Sequence, residues 1–281
     1  MFPSRNVAIL YRPGHYDMDD SELGSAKVFF DCFHQRTAIR TGDLIIPRYS
    51  YLPFPESLQA DCDYVSAELI NPIKQHRYAA DIRLWGEDMG ELTPKTWYRI
   101  EDIDQDGPYV LKGKTNSRKF DWKTHMFAKD RAAASEVAWR LQTDGLIGGG
   151  SQDVYIRKYV PLKTFMVGIN DLPVTNEFRF FVAYGEVLCG AYYWANYSAD
   201  LPSIPQASEV PRDFLNLAIK RVGANISFYA IDVAQTAEGG WIVIEVNDGC
   251  MSGLSENNAD MLYGRLRDTI NQKLLATPET P

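Results

Sequence analysis

Residues 228–249 read FYAIDVAQTAEGGWIVIEVNDG, two apolar-rich runs joined by a turn at Glu238-Gly239-Gly240. Side chains alternate faces along a strand, so residues two apart point the same way. In 241–247 this places Glu245 and Asn247 together, with Ile242, Ile244 and Val246 on the opposite, core-seeking face. In 228–234, Tyr229, Ile231 and Val233 share one face and Asp232 takes the other. Paired as a hairpin, the two strands bring Asp232 towards Glu245 and Asn247. Two carboxylates and an amide make a hard-oxygen set suited to Mg²⁺ or Mn²⁺, and a cation would remove the repulsion between the two acids. Periodicity alone leaves a second reading open, a solvated polar face without metal.

Upstream, residues 177–184 (EFRFFVAY), a Gly185-Glu186 turn and residues 187–194 carry another hairpin signature. Glu177 and Arg179 share a face opposite Phe178, Phe180 and Val182, which suits a functional pair and a surface ion pair equally. Residues 108–114 (PYVLKGK) form a short strand pattern with Lys112 and Lys114 on one side. Two like charges there need solvent or an anion, such as a polyphosphate. Gly113-Lys114-Thr115 is not a P-loop, because the glycine required five positions earlier is Pro108. Gly148-Gly149-Gly150 also fails the dinucleotide fingerprint and reads as a connector. A further strand pattern spans 154–160 (VYIRKYV).

Helical spacing runs over 130–141 behind an Asp130 N-cap and over 259–274 through Leu262, Leu266, Ile270 and Leu274. A third helix starts at Pro211, with Phe214, Leu217, Ala218 and Val222 as its expected stripe. The first hundred residues read as strand, helix (near 21–35), strand, a small α/β lobe with a boundary at 100–107. The expected division is 1–105, 106–160 and 161–276, with 277–281 as a tail.

The chain has 281 residues, 45% of them apolar, and a net charge of −8, so disorder is excluded and a polyanion such as nucleic acid is disfavoured as the default partner. No stretch has the eighteen or so uncharged residues of a membrane helix, and the amino-terminal apolar run is too short for a secretory signal. With its cysteines (Cys32, Cys62, Cys189, Cys250) few and scattered, a cytoplasmic protein with reduced thiols is expected. His15, His34, His76 and His125 form no zinc spacing.

The order of these elements is more specific than any one of them. A lysine strand, a glycine-rich turn, VYIRKYV, a strand with Glu177-x-Arg179, then Asp232 and IEVNDG resembles the ATP-grasp superfamily over roughly 106–275. Its most specific part, YAIDV through IEVNDGCMSG, is similar to that family's metal-binding hairpin with its closing Glu-x-Asn. Within the family the chain looks most like a branch characterised by two arginines and a lysine, matched by Arg157, Arg179 and Lys112. The resemblance implies a mixed α+β and α/β protein in which two α+β subdomains grip ATP behind an amino-terminal α/β domain.

It also implies roles. Lys112 would contact the nucleotide phosphates, and the strand end Arg157, Lys158, Tyr159 and Val160 would be the hinge that reads adenine. Glu177 would take the ribose hydroxyls, Arg179 the phosphates or acyl-phosphate, and Asp232, Glu245 and Asn247 the Mg²⁺ or Mn²⁺ ions. Lys114 and Lys119 flank the phosphate-covering loop, and residues 115–121 are the expected lid. The hinge departs from the family in one respect: many members carry an acidic residue where this chain has Arg157-Lys158.

The activity implied is an ATP-dependent ligase joining a small-molecule or peptide carboxylate to an amine through an acyl-phosphate, with Arg179 and Lys112 catalytic. A phosphotransferase and a nucleotide-binding protein without turnover are the competing readings. For the acceptor pocket, Arg40, Arg48 and Arg99 are carboxylate-binding candidates that read equally as surface charges, and Tyr49, Tyr51, Phe54, Trp97 and Tyr98 are candidate cleft or core aromatics. Cys250 reads as a small packing residue.

Overall fold

The computed structural model describes residues 5–14, 18–51, 54–114, 118–143 and 152–276. The Gly148-Gly149-Gly150 connector, Thr115, Asn116 and Ser117 of the expected lid, His15 and the 277–281 tail lie outside the described residues.

The amino-terminal sheet is parallel, ordered β2-β1-β3-β4, from β1 (Val7–Tyr11), β2 (Asp31–Phe33), β3 (Leu44–Arg48) and β4 (Glu68–Leu69). Helix α1 (Asp20–Phe29) is capped by Asp19, whose Oδ1 accepts the Glu22 N–H at 2.8 Å. The helix expected near 21–35 stops there. Phe30 turns extended, and Asp31–Phe33 pairs in parallel with Ala8, Ile9 and Leu10. The open edge of β1 offers this aromatic-rich segment a ladder that outweighs another helical turn. Helices α2 (Pro55–Tyr64), α3 (Ile73–Ala80) and α4 (Ile82–Met89) follow.

The second sheet, ordered β5-β8-β6-β7, is built from β5 (Thr96–Trp97), β6 (Tyr109–Gly113), β7 (Phe127–Ala128) and β8 (Val154–Lys158). It is covered by α5 (Arg131–Thr143), capped by Asp130 as the sequence leads one to expect. Thr96 and Trp97 precede the composition break near residue 100, yet they pair with Arg157 and Ile156 of this sheet.

A small hairpin, β9 (Thr164–Val167) with β10 (Pro173–Thr175), leads into the third sheet. That sheet is antiparallel, ordered β12-β11-β13-β14, from β11 (Glu177–Ala183), β12 (Glu186–Tyr192), β13 (Phe228–Gln235) and β14 (Trp241–Asp248). One face carries Phe178, Phe180, Tyr229, Ile231 and Val233 into a core with α4 and with α6 (Arg212–Val222). At one end of the other face, Phe181, Ala183, Phe228 and Ala230 join α7 (Ala259–Ala276) and the amino-terminal sheet in a single core. The opposite end of that face is polar.

Two expectations need correcting. The buried stripe of α6 is Leu215, Ala218, Ile219 and Val222, while Leu217 is 42% exposed, so the helix is rotated from the Phe214 and Leu217 phase. The alternation read in 241–247 is also interrupted. Asp232 pairs with Glu245 but Val233 pairs with Val243, leaving Ile244 as the extra residue of a β-bulge. Val243 and Val246 therefore enter the core, whereas Ile242 and Ile244 face a cleft.

Gly190 lies opposite Phe180, and a Cβ there would come within 2.2 Å of the Phe180 ring. Phe180 is packed in the core and has no room to yield. Gly190→Ala is expected to cost about 1–3 kcal/mol, measurable as a lower urea midpoint; an unchanged midpoint would show that the ring can move.

Candidate active site

Three polar side chains form a row across the third sheet, because Arg179 pairs with Asp232 and Asp232 with Glu245. Arg179 forks onto the buried Asp232 carboxylate, Nε to Oδ1 at 2.8 Å and Nη2 to Oδ2 at 2.7 Å, and its Nη1 donates to the Gly253 carbonyl at 2.9 Å. Burial acts to lower the Arg179 pKa, but the Asp232 charge and hydrogen bonds outweigh it, so the guanidinium stays charged. Asn247, two residues along β14, donates a hydrogen bond to Glu245.

Lys112 on β6 reaches across from the second sheet, its Nζ 3.2 Å from Glu245 Oε2. Burial would raise the Glu245 pKa, yet Lys112 first, then Arg179 and Asn247, hold it below the usual carboxylate range. Glu177, at the head of β11, is the contrast. It is buried, accepts from Thr175 Oγ1 at 3.1 Å, and is pushed up to about 7 by desolvation and by the Asp232 charge, against the pull of Lys119 and Lys112. Lys119 donates to the Tyr193 hydroxyl at 2.8 Å, and burial lowers its pKa. Lys114 sits 3.7 Å from Asp81 and 3.5 Å from Asp153.

Between the sheets lie two adjoining cavities that share Lys112, Lys119, Tyr193 and Glu245. One, about 120 Å³, is largely apolar, with Val110, Met126, Val160, Leu162, Ile242 and Ile244 in its wall and Glu177 near the shared end. The other, about 380 Å³, is polar and includes Lys114, Arg179, Asn247 and Asp248.

The hinge strand divides its side chains. Arg157 is buried, donating to the Ile244 carbonyl and to Thr93 Oγ1, each at 2.6 Å, and so ties β8 to the bulge of β14. Desolvation pulls its pKa down to about 10, opposed by Glu245. Lys158 donates to the Asp106 carbonyl, Tyr159 N–H bonds the Pro108 carbonyl at 3.0 Å, and all four residues from Arg157 to Val160 border the apolar cavity.

Arg48, a candidate for substrate or surface, is neither. It is 1% exposed, forked onto Glu22 Oε1 and bonded to Tyr263 and to the carbonyls of Gly249, Cys250 and Ser252, so it anchors the loop after β14. Arg40 and Arg99 are exposed. Tyr49 and Trp97 are core residues, whereas Phe54 and Tyr98 are exposed. Cys250 is buried in the core, as read from the sequence.

Asp248 is the residue that sequence reasoning overlooks. It follows Asn247 in the register of the core face, and a carboxylate there needs partners, which is the signal that could have found it. Its Oδ2 lies 3.0 Å from His76 Nδ1 and accepts from Tyr51 at 2.9 Å, while Oδ1 accepts from Asn71 and from the Cys250 N–H. Burial would raise its pKa, but His76, the Cys250 amide and Asn71 hold it below the usual carboxylate range. Asp248→Asn is expected to cost about 1.5–3 kcal/mol near neutral pH. Because the folded-state pKa is depressed, this stability is fully present above the unfolded value of about 4 and is lost as pH falls through the folded value. Urea midpoints should separate variant from wild type at neutral pH and converge in acid; a gap independent of pH would contradict the assignment.

Among the described residues no group of three His, Cys, Asp or Glu side chains could hold a metal by itself. Two carboxylates and an amide nevertheless fit Mg²⁺, which is commonly held by one or two carboxylates together with substrate phosphates and water. A carboxylate offers about four lone-pair sites, so the Arg179 fork does not exhaust Asp232.

Two sheets facing each other across a cleft, with lysines from one and carboxylates from the other, define an ATP-grasp protein. The chain belongs to this superfamily: the model of the ATP-grasp domain, family 3 of the clade named for two arginines and a lysine, matches residues 100–270, more than half its length. No curated protein matches. Among solved structures, the D-cycloserine synthetase DcsG is 14% identical with a TM-score of 0.59, the alignment covering 94% of this chain and 99% of that one. The ATP-grasp ligase PsnB, complexed with minimal precursor, Mg and ADP, is 11% identical with a TM-score of 0.59 over 95% of this chain and 97% of that one. D-alanine–D-alanine ligase from Bacillus anthracis, complexed with ATP, is 10% identical with a TM-score of 0.56 over 96% and 98%. No helix among the described residues is long and apolar enough to cross a membrane.

Proposed function

We propose that the protein is an ATP- and Mg²⁺-dependent ligase that joins a carboxylate to an amine through an acyl-phosphate and releases ADP and phosphate. The observation that carries this reading is the row Arg179, Asp232 and Glu245 facing Lys112 across the cleft. The apolar cavity takes adenine, framed by Arg157, Lys158, Tyr159 and Val160, and Glu177 takes the ribose hydroxyls. Lys112 and Arg179, with Lys114 and Lys119 nearby, neutralise charge as the γ-phosphoryl group moves to the substrate carboxylate. Asp232, Glu245 and Asn247 hold the divalent cation, which bridges phosphate oxygens and offsets their charge. The amine then displaces phosphate from the activated carbonyl, and no enzyme nucleophile is required.

In this reading residues 106–160 and 161–276 are the two gripping lobes and residues 1–105 build the acceptor side. The acceptor substrates are small molecules or peptides, PsnB having been captured with a precursor. A net charge of −8 disfavours nucleic acid. The lid includes Lys119, Phe120 and Asp121, and Asn170 donates to the Phe120 carbonyl at 2.7 Å, holding this segment over the cleft.

The test is incubation with ATP, Mg²⁺ and pooled carboxylates and amines. ADP with a new amide mass supports the ligase; AMP and pyrophosphate would defeat it. Glu245→Gln is expected to reduce Mg²⁺-dependent turnover on the order of 10²–10³-fold, and calorimetry should find weaker uptake of a Mg²⁺-bound non-hydrolysable ATP analogue. Wild-type turnover in that variant would remove Glu245 from the site.

A further inference from the structure

The polar cavity has a wall to which the phosphoryl-transfer step gives no role. His76, on α3, borders this cavity together with Lys114, Arg179 and Asn247. The ring is buried, and its Nδ1 lies 3.0 Å from Asp248 Oδ2. Asp248 accepts from three other donors, Tyr51, Asn71 and the Cys250 amide, so its position is set without help from the imidazole. An ionised carboxylate only accepts hydrogen bonds, so in the neutral ring the proton resides on Nδ1. Nε2 then carries a lone pair, and among the described residues no group hydrogen-bonds it.

We infer that His76 is the general base of the amine-transfer half-reaction, with Asp248 as the residue that orients it. The inference rests on the ligase reading and adds to it the group that accepts the amine's proton. As the amine nitrogen attacks the acyl-phosphate, the C–N bond forms and an N–H proton passes to His76 Nε2. The C–O bond to phosphate then breaks, phosphate leaves with the electron pair, and the imidazolium returns its proton to phosphate or to water. Asp248 stabilises the transient imidazolium, the role an aspartate plays in hydrolase triads. Lys114 and Arg179 line the same cavity, placed to hold the anionic acyl-phosphate that the amine attacks. Tyr51, packed on the ring at 5.0 Å between centroids, contributes a hydroxyl that donates to Asp248.

The test compares two nucleophiles on the full-length chain with ATP, Mg²⁺ and the carboxylate found by the condensation screen. An ordinary amine needs a base, whereas hydroxylamine, unprotonated at neutral pH, attacks without one. In His76→Gln the ratio of amide to hydroxamate formation is expected to fall about 10²–10⁴-fold. A ratio equal to that of wild type, with both rates high or both low, would overturn the base and leave the ligase standing. Failure of wild type to make amide or hydroxamate from any carboxylate would bring down the ligase reading and the base with it. Nitrogen-resolved NMR of the wild-type imidazoles, assigned through His76→Gln, reads the ring without turnover. A proton on Nδ1 and none on Nε2 at neutral pH is expected, and the opposite tautomer would overturn the assignment.

Discussion

Arg48→Met is expected to destabilise the protein by about 3–5 kcal/mol, the cost of removing one partner from a buried ion pair. Arg48 and Glu22 are 1% and 5% exposed, so neither water nor another cation is at hand to replace the guanidinium. Glu22 would keep only the Tyr263 hydroxyl, at 2.6 Å, and the carbonyls of Gly249, Cys250 and Ser252 would lose a common donor. The loop they belong to leads directly from Asn247 and Asp248 to Gly253, whose carbonyl accepts from Arg179. The variant should therefore bind nucleotide more weakly as well as unfold earlier. Urea denaturation measures the loss of stability, and a double variant, Arg48→Met with Glu22→Leu, separates its causes. Removing both charges should recover much of the loss, because the penalty lies chiefly in the orphaned carboxylate. A single variant within about 0.5 kcal/mol of wild type, the range of ordinary surface substitutions, would mean that the network does not bear on stability.

Arg179→Lys should lower ATP-dependent turnover on the order of 10²–10³-fold while leaving a folded protein. Lysine retains the charge opposite Asp232 but loses the fork, and with it the simultaneous reach to Asp232 and the Gly253 carbonyl. A point charge on a flexible stem also has less control over where it meets a moving phosphoryl group. ADP release measures the effect, and thermal unfolding confirms that the loss is not one of folding. If Arg179→Lys turns over at the wild-type rate, positive charge suffices at this position and bidentate geometry has no part in the chemistry.

Much of the third sheet is legible in the sequence because its strands are regular. Glu177 and Arg179 opposite Phe178, Phe180 and Val182, and Asp232 opposite Tyr229, Ile231 and Val233, follow from a period of two and occupy the faces so assigned. Lys112 stands out as an unusual strand lysine, but only the fold of the second sheet reveals that Glu245 is its partner at 3.2 Å. Strict alternation misplaces Ile242 and Ile244 because a bulge shifts the phase by one residue and leaves no mark in composition. Arg48 and Asp248 are hard to place for a related reason. A buried charge is stable only through partners, and theirs, Glu22 and Tyr263 for one, His76, Tyr51 and Asn71 for the other, come from segments far away in the chain.

Local periodicity and turn chemistry by themselves determined the hairpins, the helices over 130–141 and 259–274, and which strand faces carry oxygen and nitrogen rather than hydrocarbon. Tertiary structure alone decided where the bulge falls, that residues 31–33 leave the helix to join β1, and which buried charges meet. The division has a physical basis. Face and turn preferences act between residues a few positions apart, whereas ladder register and the neutralisation of a desolvated charge depend on groups that only the closed chain brings within hydrogen-bond range.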